Sequence, residues 1–217
     1  AVLRLANAIL AKDPSSSNAS GGVLSDSQLA AIGEQLGADV PFFLRGGTQW
    51  GRGIGTELTE AGSLSGHFVL LVPVYGCDTA EVYKKHASSW CPTEQIGSID
   101  SISVPDILHT AVGNKLFNDL ECAAEQVRPQ LGRLRFAVEK AGYSHVRMSG
   151  SGSTLFVAVA DAAKANQCQH HLAVELAETE HRDVAFVVTS SGPAVDFDQP
   201  SSQLPKSMLR RPKDPMA

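Results

Sequence analysis

The chain has 217 residues, 43% of them hydrophobic, and a net charge of −5, values typical of a folded globular protein. The acidic excess argues against a protein that binds nucleic acid or an anionic membrane through bulk charge. No apolar run approaches the roughly 20 residues that span a bilayer. The four cysteines show neither zinc-ligand spacing nor a disulfide framework, which fits the reducing cytoplasm.

The first predicted element is an amphipathic helix over residues 1–12, followed by a Ser- and Gly-rich loop. No Ser, Thr, Asp or Asn precedes this helix to cap its first turn. We therefore expect the chain to be part of a longer protein. A complete but frayed N-terminus is the alternative.

The next segment predicts a helix and two extended stretches. Ser25 and Gln28 form a capping-box pattern at the start of the helix, and Gly37 is its expected end. Residues 42–44 and 48–58 are predicted to be extended. Three glycines in the second stretch suggest bulges or a close approach of the backbone.

From residue 67 onward, the predicted elements follow the order β-α-β-β-α-β. Strands are predicted at 68–72, 145–148, 154–159 and 184–189. Helices are predicted at 79–85, 105–113, 118–127 and 129–141, and after a cap at Asp161. This order is that of the ferredoxin-like arrangement, in which helices cover one face of a mainly antiparallel sheet. The expected fold class is therefore α+β.

The strongest chemical motif is an alternation of small residues between two predicted strands, formed by Ser149, Gly150, Ser151, Gly152 and Ser153. Glycine lets backbone N–H groups approach a phosphate closely, and successive N–H groups can form an anion-binding nest. The serine hydroxyls add neutral donors. The alternative is a flexible hairpin turn, because turns have the same composition.

Asp39 is the second candidate. It follows a predicted helix C-terminus, where the helix dipole disfavours an anion, so its carboxylate is a candidate for orienting or deprotonating an attacking hydroxyl. The alternative is an aspartate that caps a short turn opened by Pro41. On spacing alone, the capping role is the stronger interpretation.

Two further candidates lie in the helix predicted at 79–85. Thr79 is expected to cap this helix, and Tyr83, one turn further on, could present its ring to a flat ligand. The alternative is that Tyr83 lies at the edge of the core. Asn118 and Glu121 form a second capping-box pattern, interpreted as mainly structural.

Five segments occur together in an order that resembles the GHMP small-molecule kinase superfamily. They are residues 37–44, 51–55, 73–83, 118–121 and 149–156. The combination is similar to the branch that phosphorylates 4-diphosphocytidyl-2-C-methyl-D-erythritol. The similarity runs from residue 1 to about residue 160, and it is specific as a set although each segment is modest alone.

The resemblance implies ATP-dependent phosphorylation of the 2-hydroxyl of that substrate in non-mevalonate isoprenoid biosynthesis, in a bacterial cytoplasm or a plastid stroma. It implies that Asp39 is the catalytic base, that Thr79 lines the substrate pocket and that Tyr83 stacks on the cytosine. It places the loop at 149–153 near the phosphates, as the part that binds ATP. Mg²⁺ is expected with ATP, although the sequence has no dedicated metal-ligand cluster, and neither a nucleic acid nor a membrane is an expected partner.

The resemblance also implies a division of the chain. Residues 1–65 correspond to a remnant of an N-terminal ATP-binding domain and residues 66–192 to a ferredoxin-like C-terminal domain, while the basic, proline-rich tail at 193–217 is expected to be disordered. Two parts of the family pattern are absent from this sequence. One is the first strand, with its lysine. The other is the glycine-serine phosphate loop, which in the family precedes the helix that starts here at Ala1. We therefore expect the chain alone to have negligible kinase activity.

Two alternative functions remain open. One is another GHMP kinase, of the homoserine or mevalonate type. The other is a non-catalytic ferredoxin-like binding module.

Overall fold

The computed structural model describes residues 24–61, 66–89 and 116–191. These residues form two compact units, one made of 24–61 and the other of the two later ranges. The elements predicted at 1–12, at 105–113 and in the tail lie outside the described residues. The three domain limits proposed from the sequence stay a prediction.

The smaller unit contains two helices and a hairpin. Its elements are α1 (Asp26–Leu36), α2 (Val40–Arg45), β1 (Gln49–Arg52) and β2 (Glu57–Glu60). The predicted capping box is confirmed, because the Gln28 N–H donates to Ser25 Oγ at 3.3 Å and the Ser25 N–H donates to Gln28 Oε1 at 2.9 Å. Gly37 ends α1, as predicted.

Two predictions for this unit are wrong. Residues 42–44 belong to helix α2 and are not extended, because Pro41 occupies its first turn, where a missing N–H costs nothing. The stretch at 48–58 is not one bulged strand. It folds back between β1 and β2, and Gly53 (φ 63°) and Gly55 (φ 97°) provide the left-handed residues of the turn.

The larger unit has the predicted ferredoxin-like order. Its strands are β3 (Gly66–Val72), β4 (Arg147–Met148), β5 (Leu155–Val159) and β6 (Ala185–Ser191). They form one antiparallel sheet in the order β4-β5-β3-β6, with β3 paired to both β5 and β6. Each helical crossover takes the chain from a central strand, β3 or β5, to an edge strand, β4 or β6, which confirms the α+β prediction.

Four described helices accompany this sheet: α3 (Thr79–Ser88), α4 (Glu121–Val127), α5 (Pro129–Lys140) and α6 (Ala162–Ala177). Their apolar stripes meet alternate residues of the sheet in a single core. Its largest fully buried side chains are Leu71, Leu131, Leu134, Leu155, Leu172, Val69, Val82, Val138 and Val146. The predicted cap of α6 is confirmed, since Asp161 Oδ1 accepts the Lys164 N–H at 2.7 Å.

Two observations bear on the chemistry and environment of the chain. Cys77 and Cys168 are free thiols, whereas Cys122 is disulfide-bonded, which the wide cysteine spacing did not predict. Among the described residues, no helix combines the length and the apolar character needed to cross a bilayer.

Candidate functional site

The loop at 149–153 joins the edge strand β4 to β5. It is closed by two backbone hydrogen bonds, from the Ser149 N–H to the Thr154 carbonyl at 2.9 Å and from the Gly152 N–H to the Ser149 carbonyl at 3.0 Å. Gly150 (φ 57°) and Gly152 (φ 88°) both have left-handed backbones, which suit glycine. The N–H groups of Gly150 and Ser151 have no hydrogen-bond partner within the part of the chain that the structure describes.

The two glycines face different environments. A Cβ atom on Gly152 would lie 2.8 Å from Met148 Sδ and 3.3 Å from Cys77 Sγ, so this glycine is packed against the core. A Cβ atom on Gly150 would meet nothing within 4 Å. The loop is therefore seated on the core at Gly152 and open at Gly150, where a ligand has room.

Thr79 lies directly beside this loop. Its Oγ1 is 2.9 Å from Ser151 Oγ, a hydrogen bond between residues 72 positions apart. The prediction that Thr79 caps helix α3 is wrong, because Asp78 is the N-cap and its Oδ1 accepts the Glu81 N–H at 2.8 Å. The Thr79 hydroxyl is thereby left for the loop.

Tyr83 lies one turn after Thr79 on the same helix. Residues at i and i+4 share a helix face, so both side chains project from one side of α3. Tyr83 is 57% exposed, and the core position of this helix is held by Val82. The core-edge alternative for Tyr83 is therefore wrong, and its ring is available to a ligand.

Ser153 anchors the other end of the loop. The residue is 8% exposed, and its Oγ donates a hydrogen bond to the Tyr75 carbonyl oxygen. Tyr75 lies below the loop, where burial raises the pKa of its phenol and Arg128 lies 5.9 Å from the ring centroid. The Ser153 hydroxyl hydrogen is thus used inside the protein, while Ser149 is exposed and Ser151 half-buried.

Asn118 and Glu121 are components of this site that the sequence interpretation missed. Glu121 does not close a capping box with Asn118, because its Oε1 accepts the Met148 N–H at 2.6 Å. Asn118 Nδ2 donates to the carbonyl oxygens of Met148 at 3.0 Å and Gly150 at 2.7 Å. A local capping pattern could not reveal these partners, since they lie 27 to 32 residues further along the chain.

The Glu121 carboxyl is half-buried next to β4. Burial raises its pKa, and the Met148 N–H and the nearby Arg147 and Arg135 guanidinium groups oppose that effect. Glu121 therefore serves as a hydrogen-bond acceptor for β4 and not as part of the cap of its own helix.

Asp39 belongs to the smaller unit and is described there by itself. It directly precedes α2 and is exposed, and its side chain makes no capping hydrogen bond. Asp39 lies two residues after Gly37, the C-cap of α1, as predicted, but it also directly precedes α2, where an anion is favoured, so the expected dipole penalty does not apply. The turn-capping alternative also fails, and the carboxylate has no hydrogen-bond partner among the described residues.

Comparison with known proteins adds an independent line of evidence. Residues 104–177 match the family "GHMP kinases C terminal". A 4-diphosphocytidyl-2-C-methyl-D-erythritol kinase from Clavibacter michiganensis subsp. michiganensis is 36% identical over 155 residues, which are 65% of this chain and 49% of that protein. Residues 104–177 are thus similar to the C-terminal part of GHMP kinases.

Further similarities of this chain to kinases of the same name have a comparable extent. A kinase of the same name from Nocardioides sp. is 34% identical over 175 residues, covering 78% of this chain and 56% of that protein. One from Corynebacterium efficiens is 30% identical over 185 residues, which cover 85% of this chain and 54% of that protein. The chain thus spans about half the length of the curated relatives that it matches.

Two solved structures are similar to this chain in fold. A crystal structure of 4-(cytidine 5'-diphospho)-2C-methyl-D-erythritol kinase matches with a TM-score of 0.57 and 26% identity, covering 77% of this chain and 57% of that one. Homoserine kinase from Cytophaga hutchinsonii matches with a TM-score of 0.52 and 17% identity, covering 80% and 60%, a likeness of fold alone.

The described part of the chain offers no group of three or more His, Cys, Asp or Glu side chains arranged to hold a metal ion. The donors of the larger unit are instead backbone N–H groups and hydroxyls around the loop. Such neutral donors suit phosphate oxygens.

Proposed function

We propose that the protein transfers a phosphoryl group from ATP to the 2-hydroxyl of 4-diphosphocytidyl-2-C-methyl-D-erythritol, in isoprenoid biosynthesis. Curated relatives that carry the name of this kinase, at 30% to 36% identity, support the proposal. The proposal also keeps residues 1–65 and 66–192 as the two kinase domains, and a cytoplasmic location.

The observation that carries the proposal is the hydrogen bond between Thr79 and Ser151. It joins the face of α3 that bears Tyr83 to a loop with unpartnered N–H groups. A substrate with a cytosine at one end and a diphosphate in its middle requires these two features side by side. An aromatic ring can stack on the base, and N–H groups can bind phosphate oxygens.

The loop at 149–153 also fits the phosphates of ATP. Gly150 leaves open space beside its backbone, and both it and Ser151 have N–H groups with no partner among the described residues. ATP, when bound with Mg²⁺, supplies the phosphoryl group. The protein contributes position and charge stabilisation, which account for most of the catalysis in phosphoryl transfer.

Asp39 is assigned the role of general base. Its exposed carboxylate is free to accept the proton of the acceptor hydroxyl as the oxygen forms its bond to the γ-phosphorus. The bond between that phosphorus and the β–γ bridging oxygen breaks, and ADP leaves with the electron pair.

The test is an ADP-release assay on the full-length gene product with three acceptors: diphosphocytidyl methylerythritol, homoserine and mevalonate. We expect turnover with the cytidine-bearing acceptor and less than about 1% of that rate with the other two, since a site built for a substrate group rejects analogues that lack it. Turnover with homoserine or mevalonate instead would assign another kinase of the family. No turnover with any acceptor would favour the binding-module alternative.

A further inference from the structure

The turn before helix α4 is bonded to the backbone at the start of the 149–153 loop. The Asn118 side-chain amide donates to the carbonyl oxygens of Met148 and Gly150, at 3.0 and 2.7 Å. Its own oxygen accepts the Leu120 N–H at 3.0 Å. Both Nδ2 hydrogens and the Oδ1 atom are therefore engaged, and the amide can take only one orientation.

These bonds determine which way the loop N–H groups point. A peptide unit is planar and trans, so its C=O and the following N–H point in opposite directions. Because Asn118 holds the Gly150 carbonyl on its own side, the Ser151 N–H points away from Asn118. The Met148 carbonyl is held in the same way, and the next N–H, that of Ser149, closes the loop onto Thr154.

Glu121 binds the N–H group of Met148, the last residue of β4. Its Oε1 accepts the Met148 N–H at 2.6 Å, so the N–H and the C=O of Met148 are both bound to side chains from one turn. The glycine turn between β1 and β2 differs, because its Gly55 N–H donates at 3.0 Å to the Arg52 carbonyl, a partner three residues away. The hydrogen bond that closes that turn is local, whereas both polar groups of Met148 are bound by side chains about 30 residues away.

We propose that Asn118 and Glu121 are positioning residues that orient the 149–153 loop so that its Ser151 N–H group faces a nucleotide phosphate. This inference rests on the proposed function and extends it to residues that the sequence marked as structural. The phosphate belongs either to ATP or to the diphosphate of the acceptor, and kinetics separate the two. Preorganised donors stabilise developing charge best when they need no rearrangement at the moment of reaction.

The decisive variant is Asn118→Asp in the full-length protein. It keeps the size of the side chain and the acceptor for the Leu120 N–H, but it removes both donors to the loop. We expect kcat/KM to fall at least 10-fold. A rise in KM for ATP alone identifies the ATP phosphates as the ligand, and a rise for the cytidine substrate alone identifies the acceptor diphosphate.

Two variants of Glu121 test whether its acceptor oxygen is what matters. Glu121→Ala removes the acceptor of the Met148 N–H and is expected to lower kcat/KM to a similar extent. Glu121→Gln keeps an acceptor oxygen and is expected to stay within about threefold of the wild type. Equal kinetic loss in the two variants would contradict the positioning role of Glu121.

Asp161→Ala serves as the matched control, because it removes the cap of α6 in the same unit without touching the loop. We expect it to lower the melting temperature by an amount comparable to Asn118→Asp while leaving both KM values and kcat within twofold. If Asn118→Asp also stays within twofold, the positioning role is overturned.

A separate readout keeps this inference distinct from the proposed kinase activity. If the wild-type protein phosphorylates no acceptor, the proposed function fails. The positioning role is then decided by the [15N]glycine spectrum and by titration with inorganic tripolyphosphate. Asn118→Asp must shift the Gly150 amide signal and weaken tripolyphosphate binding at least fivefold, while Asp161→Ala must do neither. Any other result contradicts the inference.

Discussion

The corner between α1 and α2, at 37–41, and the loop at 149–153 present their functional groups in two different ways. In the corner, Asp39 is exposed, and its carboxylate makes no capping hydrogen bond. The loop is bonded to the distant side chains of Thr79 and Asn118, and its own Ser153 hydroxyl donates to the Tyr75 carbonyl. A proton acceptor must stay free to bind a proton, whereas N–H donors act only if they already point at the ligand. Substitutions in the corner should therefore lower kcat with little change in the free energy of unfolding. Substitutions in the loop should lower both.

The largest expected effect tests the corner. Asp39→Asn in the full-length protein removes the base and keeps the shape, so kcat should fall by about 10² to 10⁴, the usual contribution of a general base. The melting temperature should stay within 1 °C or so, because no capping hydrogen bond is lost. Loss of stability with little loss of kcat would show that Asp39 is a structural cap.

The next prediction tests whether the packing of Gly152 against the core holds the loop in place. Gly152→Ala should destabilise the larger unit by about 3 kcal/mol, because the residue has φ 88° and the added Cβ would lie 2.8 Å from Met148 Sδ. The matched control is Gly150→Ala, with φ 57° but open space around it, which should cost about 1 kcal/mol. Urea denaturation measures both, and equal losses would mean that the core does not hold the loop.

A smaller effect tests the helix beside the loop. Tyr83→Ala should raise the KM for the cytidine substrate about 10- to 100-fold, since stacking on a base is worth about 1–3 kcal/mol. Stability should change by less than about 0.5 kcal/mol, as expected for an exposed side chain. Tyr83→Phe keeps the ring and should behave like the wild type. A phenylalanine variant as impaired as the alanine variant would rule out stacking.

Much of the fold was predictable because its signals are local. The capping box at Ser25, the cap at Asp161 and the apolar stripe of α5 each depend on residues within one or two helical turns. The errors arose where local propensity was ambiguous. Pro41 followed by two phenylalanines suits either a strand or the first turn of a helix, and the surrounding structure selected the helix.

The candidate site was predictable only in part. The sequence identified the loop and Tyr83 from their composition, but it could not pair Asn118 with Gly150, 32 residues away. It also assigned the cap of α3 to Thr79 and not to Asp78, because both residue types are good caps and adjacent in sequence. Long-range hydrogen bonds depend on topology, which no short motif encodes.

The central claim is that the loop at 149–153 binds nucleotide phosphate, and [15N]glycine spectra of the full-length protein test it most directly. Gly142, whose N–H donates to the Glu139 carbonyl at the end of α5, serves as the internal reference. Adding a non-hydrolysable ATP analogue with Mg²⁺, and then the cytidine substrate, should shift the amide signal of Gly150 and leave that of Gly142 in place. An unmoved Gly150 signal under saturating concentrations of both ligands would contradict the account.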